Sequence, residues 1–179
     1  MRLKTYAASL LFLTACTPAP PAPAPGPAAA RPTEAPSAAN GDALALRRTP
    51  AAGEWSAHAD EGVLAANFGA PPGDVFSIVC RAPTGAIVLT LKRDLAPQSA
   101  AALRIITTTR TLELPGRERR TAAGEGRAFA VDIADNTPEH SALISMLGAP
   151  GDRFALEAGG VITVLPWDDA IARTLIGCR

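Results

Sequence analysis

VFSIVCRAPTGAIVLTLK, Val75–Lys92, carries two strand patterns around a turn. Phe76, Ile78 and Cys80 fall on one face of the first run, and Ile87, Leu89 and Leu91 on one face of the second. Apolar residues at a period of two mark half-buried strands. Ala82-Pro83-Thr84-Gly85 between them has hairpin-loop chemistry.

The same alternation extends outward in both directions. Upstream, Trp55, Ala57 and Ala59 alternate with Ser56 and His58, and Asp60-Glu61-Gly62 offers a turn into Val63–Phe68. The segment Gly69-Ala70-Pro71-Pro72-Gly73-Asp74 then reads as a loop. Downstream, LRIITTTRTLEL, Leu103–Leu114, reads as one long β-branched strand, with Thr107, Thr109 and Thr111 along one side. Arg127–Ile133 turns Phe129, Val131 and Ile133 inward. Phe154-Ala155-Leu156 and Val161–Leu165 flank Gly159-Gly160 as a further hairpin.

Two helices interrupt this pattern. Thr137-Pro138-Glu139 is a start signal, with Thr at the N-cap and Pro in the first turn. Ala142, Leu143, Met146 and Leu147 supply its apolar face, and Gly148 stands at its end. A second helix is expected from near Pro166, with Trp167, Ala170, Ile171, Thr174, Leu175 and Cys178 on one side. These elements predict one mainly β domain over residues 42–179, an antiparallel β-sandwich or open barrel with one or two short helices.

The composition narrows function by exclusion. Apolar residues make up 47% of the chain but aromatics only 4%, so the core must be aliphatic. Seventeen basic residues balance seventeen acidic ones, which gives no steering towards nucleic acid. Only Lys4 and Lys92 are lysines; the arginine excess reads as the habit of a GC-rich genome.

Residues 1–15 differ in kind. Met1-Arg2-Leu3-Lys4 is a short positive start, and the apolar stretch Tyr6–Leu13 is too short for the ~20 residues of a spanning helix. It ends Leu13-Thr14-Ala15-Cys16, which resembles the lipobox of bacterial lipoproteins. The resemblance implies a signal peptide cut before Cys16 and a diacylglyceryl group on its thiol. Several acyl chains, at ~0.8 kcal/mol per buried methylene, anchor stably. Thr17 stands where an Asp would mark inner-membrane retention in enteric bacteria, so the resemblance points to the outer membrane, facing the periplasm.

Residues 16–41 include TPAPPAPAPGPAAARPTEAPSAAN, from Thr17 to Asn40, and read as a Pro/Ala-rich tether. Repeated proline favours polyproline II, which at ~3.1 Å per residue extends on the order of 70 Å. With Cys16 acylated, Cys80 and Cys178 remain as an even pair in an oxidising compartment, and a disulfide between them is expected.

The search for chemistry yields no catalytic, cofactor or metal constellation. His58 reads as an outward-facing strand residue and His140 as a surface residue in the first turn of a helix. Zinc needs three or four ligands, and no HxxxH or CxxC occurs. Asp168 and Asp169 suit a helix N-terminus. Asp132 and Asp135 are too few oxygens for calcium. Arg117, Arg119 and Arg120 in PGRERRT read as a solvated loop. No GxSxG, SxxK or phosphate loop is present. An echo links FGAPPGDVFSI, Phe68–Ile78, with LGAPGDRFAL, Leu147–Leu156; turn chemistry accounts for it more simply than duplication.

FSIVC, LRIITTTRTLEL, GDRFALEAGGVITVLP and the tail LPWDDAIARTLIGCR together resemble a group of alphaproteobacterial envelope lipoproteins. The resemblance is closest at the lipobox, Cys80 and the tail, and brings no catalytic residue with it. A membrane-anchored, non-enzymatic module that binds or scaffolds an envelope protein partner is therefore expected. A module holding a small apolar ligand between sheet and helices is the alternative, and a hydrolase ranks third.

Overall fold

The computed structural model describes residues 37–178 except 71–72, 93–95, 97–99 and 121–126. In chain order the elements are α1 (Ser37–Ala45), β1 (Glu54–Asp60), β2 (Val63–Ala70), β3 (Gly73–Arg81), β4 (Ala86–Lys92), β5 (Ala102–Ile106) and β6 (Thr111–Pro115). β7 (Arg117–Arg120), β8 (Arg127–Ile133), α2 (Pro138–Leu147), β9 (Arg153–Ala158), β10 (Val161–Pro166) and α3 (Asp169–Ile176) follow. They build two antiparallel sheets, one ordered β1-β2-β3-β4-β8-β7 and the other β10-β9-β5-β6. The fold is a β-sandwich with a few short helices and no closed barrel. Among the described residues no helix is long and apolar enough to cross a membrane.

Register lines the inner face of the six-stranded sheet in three cross-strand rows. Trp55, Phe68, Phe76, Leu91 and Phe129 form one; Ala57, Ala66, Ile78, Leu89 and Val131 the next; Ala59, Leu64, Cys80, Ile87 and Ile133 the third. The first row meets Phe154 of β9, whose ring centroid lies 6.3 Å from Trp55 and 6.4 Å from Phe76. The third row is tied to the end of α3, because Cys80 and Cys178 are disulfide-bonded. Leu103, Ile105, Leu114, Leu156 and Leu165 of the second sheet, with Leu143 of α2 and Ile171 and Leu175 of α3, complete one continuous core.

Turn chemistry fixes two of the hairpins. Asp60 faces Val63 across Glu61-Gly62, both at positive φ, 43° and 81°. Positive φ at both central residues gives a two-residue turn whose twist matches that of the strands. Gly159 and Gly160 do the same between β9 and β10. Thr137 accepts from the His140 amide as the N-cap of α2, and Asp168 accepts from the Ala170 amide as that of α3.

Four segments differ from the sequence expectation. β2 runs on to Ala70 and β3 begins at Gly73, past an irregularity between Phe68 and Gly69, so the expected 69–74 loop is largely strand. LRIITTTRTLEL is a hairpin, β5 and β6, rather than one strand. Thr107 causes the break: its hydroxyl donates to the Arg110 carbonyl at 2.9 Å and accepts from the Arg110 amide at 3.1 Å. A hydroxyl that satisfies the main chain locally replaces the ladder a continuous strand would need. Thr107 and Thr109 thus sit in the turn and Thr111 opens β6, so they do not line one strand face. Arg117, Arg119 and Arg120 lie on edge strand β7, not in a loop. Charge there discourages pairing with another chain, and Arg117 and Arg119 both reach Asp132 on β8.

The fourth difference is α1. It begins at Ser37, so residues 37–41 at the end of the stretch read as tether are helical, and the described residues include three helices. Ala45, with Leu46 just beyond the helix, covers Ile106, Ala155 and Val164 on the outer face of the four-stranded sheet. That part of the sheet is therefore buried on both faces, which is why its strands read II, FAL and VL without alternation there. The α3 helix starts at Asp169, because Pro166 still pairs with Arg153 in β10.

Candidate functional site

The turn Thr107–Arg110 projects between two clefts. One, of about 360 Å³, lies between that turn, the C-terminal end of α2 and the loop that follows it. The other, of about 410 Å³, lies between the turn and α1, beside Asp42 and Leu46. Volumes of this size suit one or two ring-sized groups.

Trp167 organises the first cleft. Its amide donates to the Asp152 carbonyl at 3.0 Å and its indole Nε1 to the Leu147 carbonyl at 2.9 Å. The loop 148–152 is thereby clamped at both ends against a half-buried indole. Arg153 is held by Asp152 at 2.8 Å. The Arg110 guanidinium and the hydroxyls of Thr108 and Ser145 have no partner among the described residues. The turn itself is stiff, since Thr107 uses both its main-chain amide and its hydroxyl on Arg110.

The second cleft has a built wall. Arg104 bridges Asp42, at 2.8 Å, and Glu157, while Thr111 donates to Asp42 at 2.6 Å. Burial works against the charge on Arg104, but Glu157 and Asp42 outweigh it, so the guanidinium pKa stands above its ordinary value. This network pins α1 to the sheet and leaves Asp42 and Arg104 mutually committed.

Of the residues singled out from sequence, Cys16 lies outside the described residues. Cys80 and Cys178 are brought together, 98 positions apart, under α3. His58 is exposed on β1, beside a small apolar cleft with Ala57, Leu64 and Thr174. Asp168 caps α3. Asp132 pairs with arginines of β7, whereas Asp135 accepts from the amide and side chain of Asn136, so the two carboxylates serve different places. The two GAP-containing segments are not equivalent: Phe68 belongs to a strand and Leu147 to a helix. No group of three or more His, Cys, Asp or Glu residues among those described is placed to hold a metal ion.

His140 is the correction with chemical content. It is buried, not a surface residue, and its Nε2 lies 2.9 Å from the Gly85 carbonyl in the β3–β4 turn. A carbonyl only accepts, so Nε2 carries the proton. Nδ1 faces Asp135 at 3.9 Å. The ring acts as a strut joining α2 to the hairpin that carries Cys80. Replacing it by Ala or Phe leaves a buried carbonyl unpaired, which costs about 1–3 kcal/mol. His140→Phe is expected to lose at least half as much stability as His140→Ala in urea unfolding. A fully stable H140F would show that the ring only fills space.

Sequence reasoning missed the clefts because they join residues far apart in the chain, 107–110 with 145–153 and Trp167. Comparison of the chain with protein-family models, with curated proteins and with solved structures finds no match.

Proposed function

We propose that this chain is a lipid-anchored protein of the bacterial cell envelope, attached through Cys16, whose β-sandwich is a non-enzymatic binding or scaffolding module. The observation that supports this reading is the filled interior. Side chains from both sheets, α2 and α3 occupy the space between them, and every buried side-chain nitrogen or oxygen among the described residues has a partner. A small apolar ligand held between sheet and helices would need room that these side chains take. Recognition therefore belongs to the surface, and the cleft between Thr107–Arg110, the end of α2 and Trp167 brings unpartnered polar side chains beside an exposed part of an indole.

The test has two arms in the native host. Mass spectrometry of the mature N-terminus should find it at Cys16 with acyl mass, and Cys16→Ala should move the protein out of the membrane fraction. A photo-crosslinking residue at Thr108, in intact cells, should give one discrete adduct that the same residue at Ala82 does not. Soluble wild-type protein, or identical labelling at both positions, would defeat the respective arm.

A further inference from the structure

We infer that the cleft between Thr107–Arg110, the end of α2 and Trp167 recognises a saccharide carrying a carboxylate. This rests on the binding-module reading above and names its ligand class. Charge gives the sign of the ligand: Arg110 and Arg153 against Asp152 leave one net positive charge on the walls. Asp152 already takes Arg153, so Arg110 is the cation left to meet an anion. A guanidinium offers a planar fork that matches a carboxylate through two parallel hydrogen bonds.

The remaining walls select the rest of the ligand. Thr108 and Ser145 present unpartnered hydroxyls, each able to donate and accept, as sugar hydroxyls also can. Trp167 and Met146 supply an apolar wall against which the C–H face of a pyranose can lie. The Trp167 N–H is already spent on Leu147, so its ring contributes a surface rather than a donor. An extended peptide would be held chiefly by main-chain bonds, but the Thr107 amide and both main-chain groups of Arg110 are already paired in the turn. The unpartnered side chains of Arg110, Thr108 and Ser145 are the groups left to do the recognising.

Gly151 lines the cleft and is the position chosen to fill it. A Cβ built there meets Trp167 at 3.7–3.9 Å, ordinary contact distance, so the first carbon of a side chain is accommodated beside the indole. Its φ is not positive, so the backbone accepts a side chain.

The experiment titrates the full mature chain, in micelles of a non-glycosidic detergent, with trigalacturonate, its carboxyl-reduced neutral trisaccharide, and triglutamate, reading tryptophan emission. Trigalacturonate should give a saturable change below about 10 mM, where even a millimolar Kd saturates. The neutral sugar, triglutamate, and the Arg110→Ala protein with trigalacturonate should each bind at least about tenfold more weakly. Gly151→Leu should abolish the change with unaltered circular dichroism. Equal binding of the neutral sugar removes the carboxylate from the proposal, and equal binding of triglutamate removes the saccharide. No saturable change with trigalacturonate overturns the ligand class. The Thr108 adduct separates that failure from failure of the binding-module reading, because the adduct forms whatever the ligand is.

Discussion

Reducing the Cys80–Cys178 bond is expected to lower the stability of the domain by about 3–5 kcal/mol, a fall in Tm of roughly 10–20 °C. The size follows from the loop. The two cysteines are 98 positions apart, so the bond removes a large set of open conformations from the unfolded chain. Reduction is a cleaner probe than mutation, since both sulfurs are buried and two thiols keep nearly the same volume. The C80A/C178A double variant should fall slightly further, by the small cavity it leaves.

The loss should also be ordered in space. α3 is eight residues long, too short to persist alone, and its last turn is held to β3 by the bond. Amides of α3 should therefore lose hydrogen-exchange protection before those of β3 and β4. Urea unfolding with and without reductant, and exchange under both conditions, measure the two effects. A difference below about 1 kcal/mol would mean that packing of Ile171 and Leu175 holds α3 without help.

The strands were legible where one face is buried and the other wet. Phe76, Ile78, Cys80, Ile87, Leu89 and Leu91 are the inner face as alternation predicts. The cap of α2 was legible because Thr137 acts on an amide three residues away, whereas Asp168 was read only as a charge suited to a helix N-terminus and proves to be the cap of α3. What failed depends on distant partners or on a side chain that mimics the main chain. α1 looks like linker because SAANGDALA has Asn and Gly at its centre; Arg104, 62 residues from Asp42, is what fastens it. Thr107–Thr109 looks like strand because threonine is β-branched, while its hydroxyl closes a turn instead. His140 looks exposed because helix first turns are, and only the position of Gly85 buries it. The cleft was invisible for the same reason: three separate segments supply its walls.

Trp55→Ala is expected to cost about 3–5 kcal/mol, as large aromatic truncations do, although Trp55 lies on an edge strand and is only half-buried. The reason is its position between the sheets. Its ring lies 5.4 Å from Phe68 and 6.4 Å from Phe76 in its own sheet, and 6.3 Å from Phe154 in the other. Its Nε1 donates to the Pro166 carbonyl at 2.8 Å, at the end of β10. One side chain thus joins the first strand of one sheet to the last strand of the other, 111 residues apart. Trp55→Phe keeps most of the ring contact and loses the donor, so it should cost only about 1–2 kcal/mol. The interval between the two variants then measures aromatic packing across the sandwich, and urea midpoints with unchanged slopes would give it directly. If Trp55→Ala costs no more than Trp55→Phe, the rings of Phe68, Phe76 and Phe154 close the seam by themselves and the indole is only a surface cover.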